Sequence, residues 1–293
     1  MAAAENPWTR FRAEFAESRL ALVGLALLIA VLLMAIFAPV LSPQNPYDLA
    51  QLDVMESKLA PGEQSMAGKT YWLGTDDQGR DMLSGILYGL RISVGVGVAS
   101  TVIALSVGLV LGLCAAYFGG RIDTLIMRVV DIQLSFPSIL IALVLLAVLG
   151  QGVDKIIVAL VAVQWAYYAR TVRSAALVER QKEYVEAARV LALSEARIVF
   201  RHLLPNCLPP LIVVATVQVA HAIALEATLS FLGLGLPVTE PSLGLLISNG
   251  FQYLLSGKYW ISFYPGVALL VTIVAINLVA DQLRDVLNPR LKR

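Results

Sequence analysis

Six long apolar runs decide what this chain can become. They cover residues 20–41, 92–118, 125–149, 156–177, 208–236 and 263–283. A helix advances about 1.5 Å per residue, so about 20 mostly apolar residues cross the hydrocarbon of a bilayer. Several runs exceed that length, which predicts tilt or extension into the headgroup region. Inside lipid each backbone polar group must bond within the protein. The expectation is an all-α polytopic membrane protein with six transmembrane helices. Composition agrees: the 293 residues are 58% hydrophobic and 15% charged, where soluble domains run about 25% charged. That argues against a soluble enzyme and excludes an ordinary disordered chain.

Charge sign adds a second exclusion. Lys+Arg 22 against Asp+Glu 21 gives a net charge of +1, too balanced for a nucleic-acid partner. Placement carries the information instead. With the N-terminus inside, sixteen of the 22 basic residues fall on inside segments and six (Lys58, Lys69, Arg80, Arg91, Lys155, Lys258) on outside ones. That bias predicts both termini in the cytoplasm. The first run follows Arg10, Arg12 and Arg19 as a signal peptide would. Its apolar core is too long for one, and no A-x-A site follows, so it reads as an uncleaved anchor.

The outside segment 42–90 carries seven acidic residues with Tyr71 and Trp72, and reads as an ordered insert. Within 73–94, Met82, Leu83, Ile86, Leu87 and Leu90 fall at helical spacing. The pattern predicts an amphipathic segment at the outer interface, leading into the second span. Cys114 and Cys207 lie in or beside apolar runs and read as buried thiols.

Chemistry-bearing motifs are scarce. Residues 62–70, GEQSMAGKT, imitate a phosphate loop. They have five residues between the glycines instead of four, and no apolar strand precedes them. His202 and His221 stand 19 apart without companion ligands, so neither a metal site nor a cofactor is expected. Ser106, Ser135 and Ser230 could arm an intramembrane hydrolase, but serine is an ordinary packing residue there. No catalytic residue is assigned. Ionisable groups inside apolar runs are costly and are functional by default. Glu226, Asp131 and His221 are therefore the candidates for a substrate path, with an Asp131–Arg128 helical pair and a structural pairing or backbone-capping role for Glu226 as the alternatives.

The most informative connector is EYVEAARVLALSEARIVFRHLLPN, 183–206. It reads as two short helices. The first is 183–191; the second, 195–203, has Ser194 as N-cap and stops before Pro205, with Pro209 and Pro210 marking the entry to the fifth span. Two short water-side helices joined to two spans make a docking element. Ala187 and Ala188 leave a low surface that a partner groove can approach.

These residues carry a family resemblance. Glu186-Ala187-Ala188, three residues, Ala192 and then Leu203-Leu204-Pro205 resemble the cytoplasmic loop of permease subunits of binding-protein-dependent ABC importers. LGTDDQGRDMLSGILYGLRIS (73–93), DIQLSFPSIL (131–140), WAYYARTVRS (165–174), LSFLGLG (229–235) and INLVADQLRDVLNPR (276–290) are similar to the dipeptide/oligopeptide/nickel branch, C-type.

The resemblance implies a type I importer permease (MetI-like) fold, with 1–90 as the N-terminal segment, first helix and external loop and 91–293 as the core. It implies half of a translocation pathway for peptides or related small solutes. The partners it implies are a second, non-identical permease, two cytoplasmic ATPases that hold ATP and Mg, and an external binding protein, periplasmic or lipid-anchored. Membrane lipid surrounds the whole. Glu186, Ala187, Ala188, Arg189, Ala192, Leu204 and Pro205 would couple the chain to the ATPases. A stand-alone secondary transporter or channel is the rival, but no half-to-half repeat is found. Ala192 departs from the family's glycine, at a turn expected to be left-handed, where alanine costs about 1 kcal/mol.

Overall fold

In the computed structural model, which describes residues 7–48, 51–66 and 68–287, the polypeptide is a succession of helices. These are α1 (Pro7–Ala16), α2 (Arg19–Ile36), α3 (Ala38–Leu41), α4 (Met82–Phe118), α5 (Gly120–Leu134), α6 (Ser138–Leu149) and α7 (Val153–Arg180). There follow α8 (Glu183–Val190), α9 (Glu195–Arg197), α10 (Leu204–Phe231), α11 (Leu243–Phe251) and α12 (Trp260–Leu287). Among the described residues the only β pairing is two isolated bridges, Gln64–Thr70 and Thr75–Asp81. The basic residues Arg290, Lys292 and Arg293 lie outside the described residues.

Small side chains determine where the long helices meet. One stripe of α4 runs Gly97, Thr101, Ala104, Gly108, Gly112 and Ala116, all buried. A Cβ on Gly108 would lie 2.5 Å from the Tyr168 Cβ and 2.6 Å from the Trp165 carbonyl oxygen. One on Gly112 would lie 2.5 Å from the Ala169 oxygen. So α4 and α7 touch backbone to backbone, as small residues every four positions permit. The same stripe meets α10 at its N-terminal end, where a Cβ on Gly97 would lie 2.6 Å from Ile223.

Several expectations need correction. Among the described residues four helical stretches are long and apolar enough to cross a membrane: α2, α4, the continuous stretch Glu195–Phe231 and α12. The α5–α6 pair, bent by 91°, can supply a fifth. The expected six are not reproduced. The run 125–149 is broken at Ser135-Phe136-Pro137, because Pro137 lacks an N–H and holds Phe136 away from helical geometry. At 28 residues α7 is about 42 Å long. It is too polar for the same class, because Gln164, Tyr167, Tyr168, Arg170 and Arg173 interrupt it. The segment 73–94 is not an interfacial amphipathic helix. Residues 73–81 are a non-helical turn closed by the Thr75–Asp81 bridge, α4 begins at Met82, and every residue from Ser84 to Leu90 is buried. Covering the first turns of α4 are the insert, α3 and α11; a Cβ on Gly89 would lie 3.1 Å from Leu243.

The 90/91 division lies within α4, which is continuous across it. The insert 42–81 folds around Glu56, whose carboxylate accepts from the Ser65 hydroxyl, the Met66 amide and the Tyr71 phenol, the last at 2.6 Å. Those hydrogen bonds, led by that from Ser65, hold Glu56 below the ordinary glutamate range. The insert is clamped to the core. Arg80, paired with Asp76 at 2.7 Å, donates to the Val238 carbonyl at 3.2 Å. Trp260 donates from its indole to the Thr75 carbonyl at 3.2 Å.

Candidate functional site

At the end of the bundle opposite the insert, residues 181–206 form a compact helical loop. Helix α8 buries Val185 and Ala188 against Ile198 and Leu203, with Tyr117 of α4 and Leu193 beside them. Its other face is open: Glu183, Glu186, Ala187 and Arg189 are exposed, Val190 by 85% and the following Leu191 by 72%. The expected low surface of Ala187 and Ala188 is thus half wrong. Three-residue spacing puts Ala188 on the buried face with Val185, inside the chain, and leaves only Ala187 outside.

The turn after α8 is left-handed. Ala192 has φ 51°, one of two non-glycine residues with positive φ among the described residues. The Leu193 amide donates to the Ala188 carbonyl at 3.1 Å and the Ala192 amide to that of Arg189 at 2.9 Å. These are the two bonds of a Schellman cap, and the Leu193–Ala188 contact beneath completes it. Hydrogen bonds and one apolar contact hold alanine where glycine sits more easily.

The second helix does not stop before Pro205. It runs from Glu195 into α10, with Pro209 and Pro210 inside, through a π-helical segment Ile198–Leu203. A proline ring clashes with the carbonyl four residues back and offers no donor, so the wider turn immediately upstream accommodates Pro205. Leu204 is partly buried against the α4–α7–α10 core and Pro205 is exposed.

A cavity of about 930 Å³ opens beside this loop between α7, α10 and α12. Its polar lining includes Arg170, Glu179, Asn206, Gln218, Asp281 and Arg284. Tyr184 of α8 ties the loop to two of these walls. Its phenol donates to Glu179 at 2.6 Å and accepts from Asn206 at 3.2 Å. Burial, and then the Glu179 carboxylate, push this phenol up to about 12, so it stays a donor.

The three candidates for a substrate path separate. Glu226 is fully buried and accepts from Ser93 and Ser230, each at 2.8 Å, which pins α4 to α10. Asp131 is exposed and paired with Arg170 of α7, not with Arg128. The neighbouring Asp123–Arg173 pair runs parallel to it between α5 and α7. His221 is exposed on α10, one turn beyond Gln218. Ser106 and Ser135 bond back to their own helices, at Val102 and Asp131. Sequence reasoning missed Tyr184, Glu179, Asn206, Gln218, Asp281 and Arg284. Position on separate helices hid their convergence, although Asp281 and Arg284 at i, i+3 already share a face.

Long apolar helices joined through small residues, with a polar cavity among them, fit a membrane-embedded protein. The chain belongs to the family described as binding-protein-dependent transport system inner membrane component, which matches residues 108–293. Residues 6–61 match the N-terminal TM domain of oligopeptide transport permease C. It is similar to the dipeptide transport system permease protein DppC of Alkalihalophilus pseudofirmus, 37% identical over 99% of this chain and 92% of that one. The di/tripeptide permease DppC of Pseudomonas aeruginosa is 37% identical over 98% and 93%. The oligopeptide permease OppC of Bacillus subtilis is 36% identical over 98% and 90%. Among solved structures, an inward-facing MetNI methionine ABC transporter aligns with TM-score 0.56 and 22% identity. It covers 71% of this chain and 98% of that one, a likeness of fold. The protein is a permease subunit of an ABC importer, a transport component.

Proposed function

We propose that this chain forms half of the translocation pathway of an ATP-driven peptide importer. Its relatives named above are dipeptide, di/tripeptide and oligopeptide permeases. A second, non-identical permease supplies the other half. ATP and Mg are held by two separate ATPases, and an external binding protein delivers the peptide. The basic bias supports an orientation with both termini and residues 181–206 in the cytoplasm, and the insert outside. In this reading the insert and first helix are an appended unit on the core.

One observation carries the coupling role. Helix α8 is locked to the chain by one face and leaves Ala187, Val190 and Leu191 uncovered on the other. An ATPase groove that closes over that face would move α8 as a unit. Tyr184 would pass the displacement to Glu179 and Asn206 at the cavity. Glu186 forms no ion pair among the described residues and can meet a basic group on the ATPase.

The test is uptake of a radiolabelled dipeptide into proteoliposomes holding both permeases, the ATPases and the binding protein. Uptake should need ATP and every component. Uptake by this chain alone without ATP would instead establish the stand-alone transporter.

A further inference from the structure

The cavity between α7, α10 and α12 contains polar groups that the fold does not use. Gln218 is more than nine-tenths buried, lines the cavity, and its amide nitrogen has no partner among the described residues. A buried amide left unpaired costs about 1–3 kcal/mol, so folds rarely keep one without a use. Asp281 and Arg284 line the same cavity from α12, are exposed to it, and make no ion pair with each other or with any described residue. The other charges there are engaged: Arg170 with Asp131, and Glu179 with Lys182 and Tyr184. A carboxylate, a guanidinium and an amide donor without partners among the described residues therefore face one space of about 930 Å³, the size range of small-molecule sites.

That donor set matches one chemistry. Guanidinium binds carboxylate as a planar fork. A carboxylate binds ammonium, and an amide N–H binds a peptide carbonyl. We propose that this cavity is a binding station for a zwitterionic peptide. Arg284 meets the terminal carboxylate, Asp281 the terminal ammonium group and Gln218 a backbone carbonyl. The proposal rests on the importer reading above and names this chain's contacts within it. It moves the path from Glu226, which is internally satisfied, to α12 and the first half of α10.

The test uses the assembled importer in proteoliposomes, with Ser174→Cys as reporter in a Cys114→Ala, Cys207→Ala background. Ser174 lines the cavity and is none of the three proposed contacts. Modification by an impermeant thiol reagent, applied from the side of the 181–206 loop, is timed with Ala-Phe or with N-acetyl-Ala-Phe-amide. Millimolar Ala-Phe should slow labelling about fivefold, and the doubly blocked peptide should leave it unchanged. Arg284→Gln and Asp281→Asn should each abolish protection, Gln218→Leu should weaken it, and Arg284→Lys should retain part of it. Import of labelled Ala-Phe is measured in parallel. Import without protection removes the site and leaves the importer reading standing. No import of any dipeptide removes both. Protection that survives Arg284→Gln and Asp281→Asn overturns the assignment. So does a reporter shielded under every condition, which would place a helix of the second permease in the cavity.

Discussion

Replacing Ala192 by glycine should tighten the loop that carries α8. Alanine in a left-handed conformation costs about 1–2 kcal/mol, and Ala192 sits there with φ 51°. Glycine removes that cost but loses about 0.4–1 kcal/mol through its freer unfolded chain. The balance favours glycine by about 0.5–1 kcal/mol. A tenfold change in an equilibrium corresponds to about 1.4 kcal/mol, so local opening should fall about two- to fivefold. The reporters are the Ala192 and Leu193 amides, which bond to Arg189 and Ala188. Hydrogen exchange of the 183–206 segment, followed by mass spectrometry in nanodiscs, reads them directly. Ala192→Val should exchange faster than the parent, because branching at Cβ crowds the left-handed region. Glycine exchanging as fast as alanine, with valine no faster, would refute the strained-cap account.

Further outcomes follow from the same structure. Gly108→Ala should separate α4 from α7, since its Cβ would fall 2.5 Å from the Tyr168 Cβ; a loss of about 1–3 kcal/mol should appear in thermal unfolding in detergent. Glu56 is depressed below the ordinary range, so its contribution is complete above about pH 4.3 and is lost as pH falls through the lower folded value. Protease sensitivity of the 42–81 insert should therefore rise as acid is added, and Glu56→Gln should flatten that dependence. Single cysteines at positions 63 and 183 should label from outside and inside respectively, and labelling of 183 from outside would invert the topology.

The sequence made the membrane class, the helical content and the loop at 183–206 readable, because apolar run length and basic bias are local quantities. Even the left-handed turn at Ala192 was legible there, because a motif supplied the glycine that alanine replaces. What stayed hidden depended on contacts between distant segments. Ala188 has the same composition cue as Ala187, yet its burial requires Ile198 and Leu203 to pack beneath it. The π segment ahead of Pro205 shows the same limit, since a proline can end a helix or be absorbed by a wider turn. Glu226 read as either a path residue or a structurally paired one, because nothing in the chain order predicts that Ser93, 133 positions away, is its partner.

The central claim is that the open face of α8 joins this permease to its ATPases. Val190→Asp and Leu191→Asp alter that face, while Val185, Ala188, Ile198 and Leu203 keep the loop folded beneath it. The decisive measurement is the amount of ATPase that co-purifies with the permease pair carrying both aspartates. It is made beside hydrogen exchange of residues 183–206, which shows whether the loop is intact. The account predicts loss of the ATPases with parental exchange protection. Full recovery of the ATPases with both aspartates in place would contradict it.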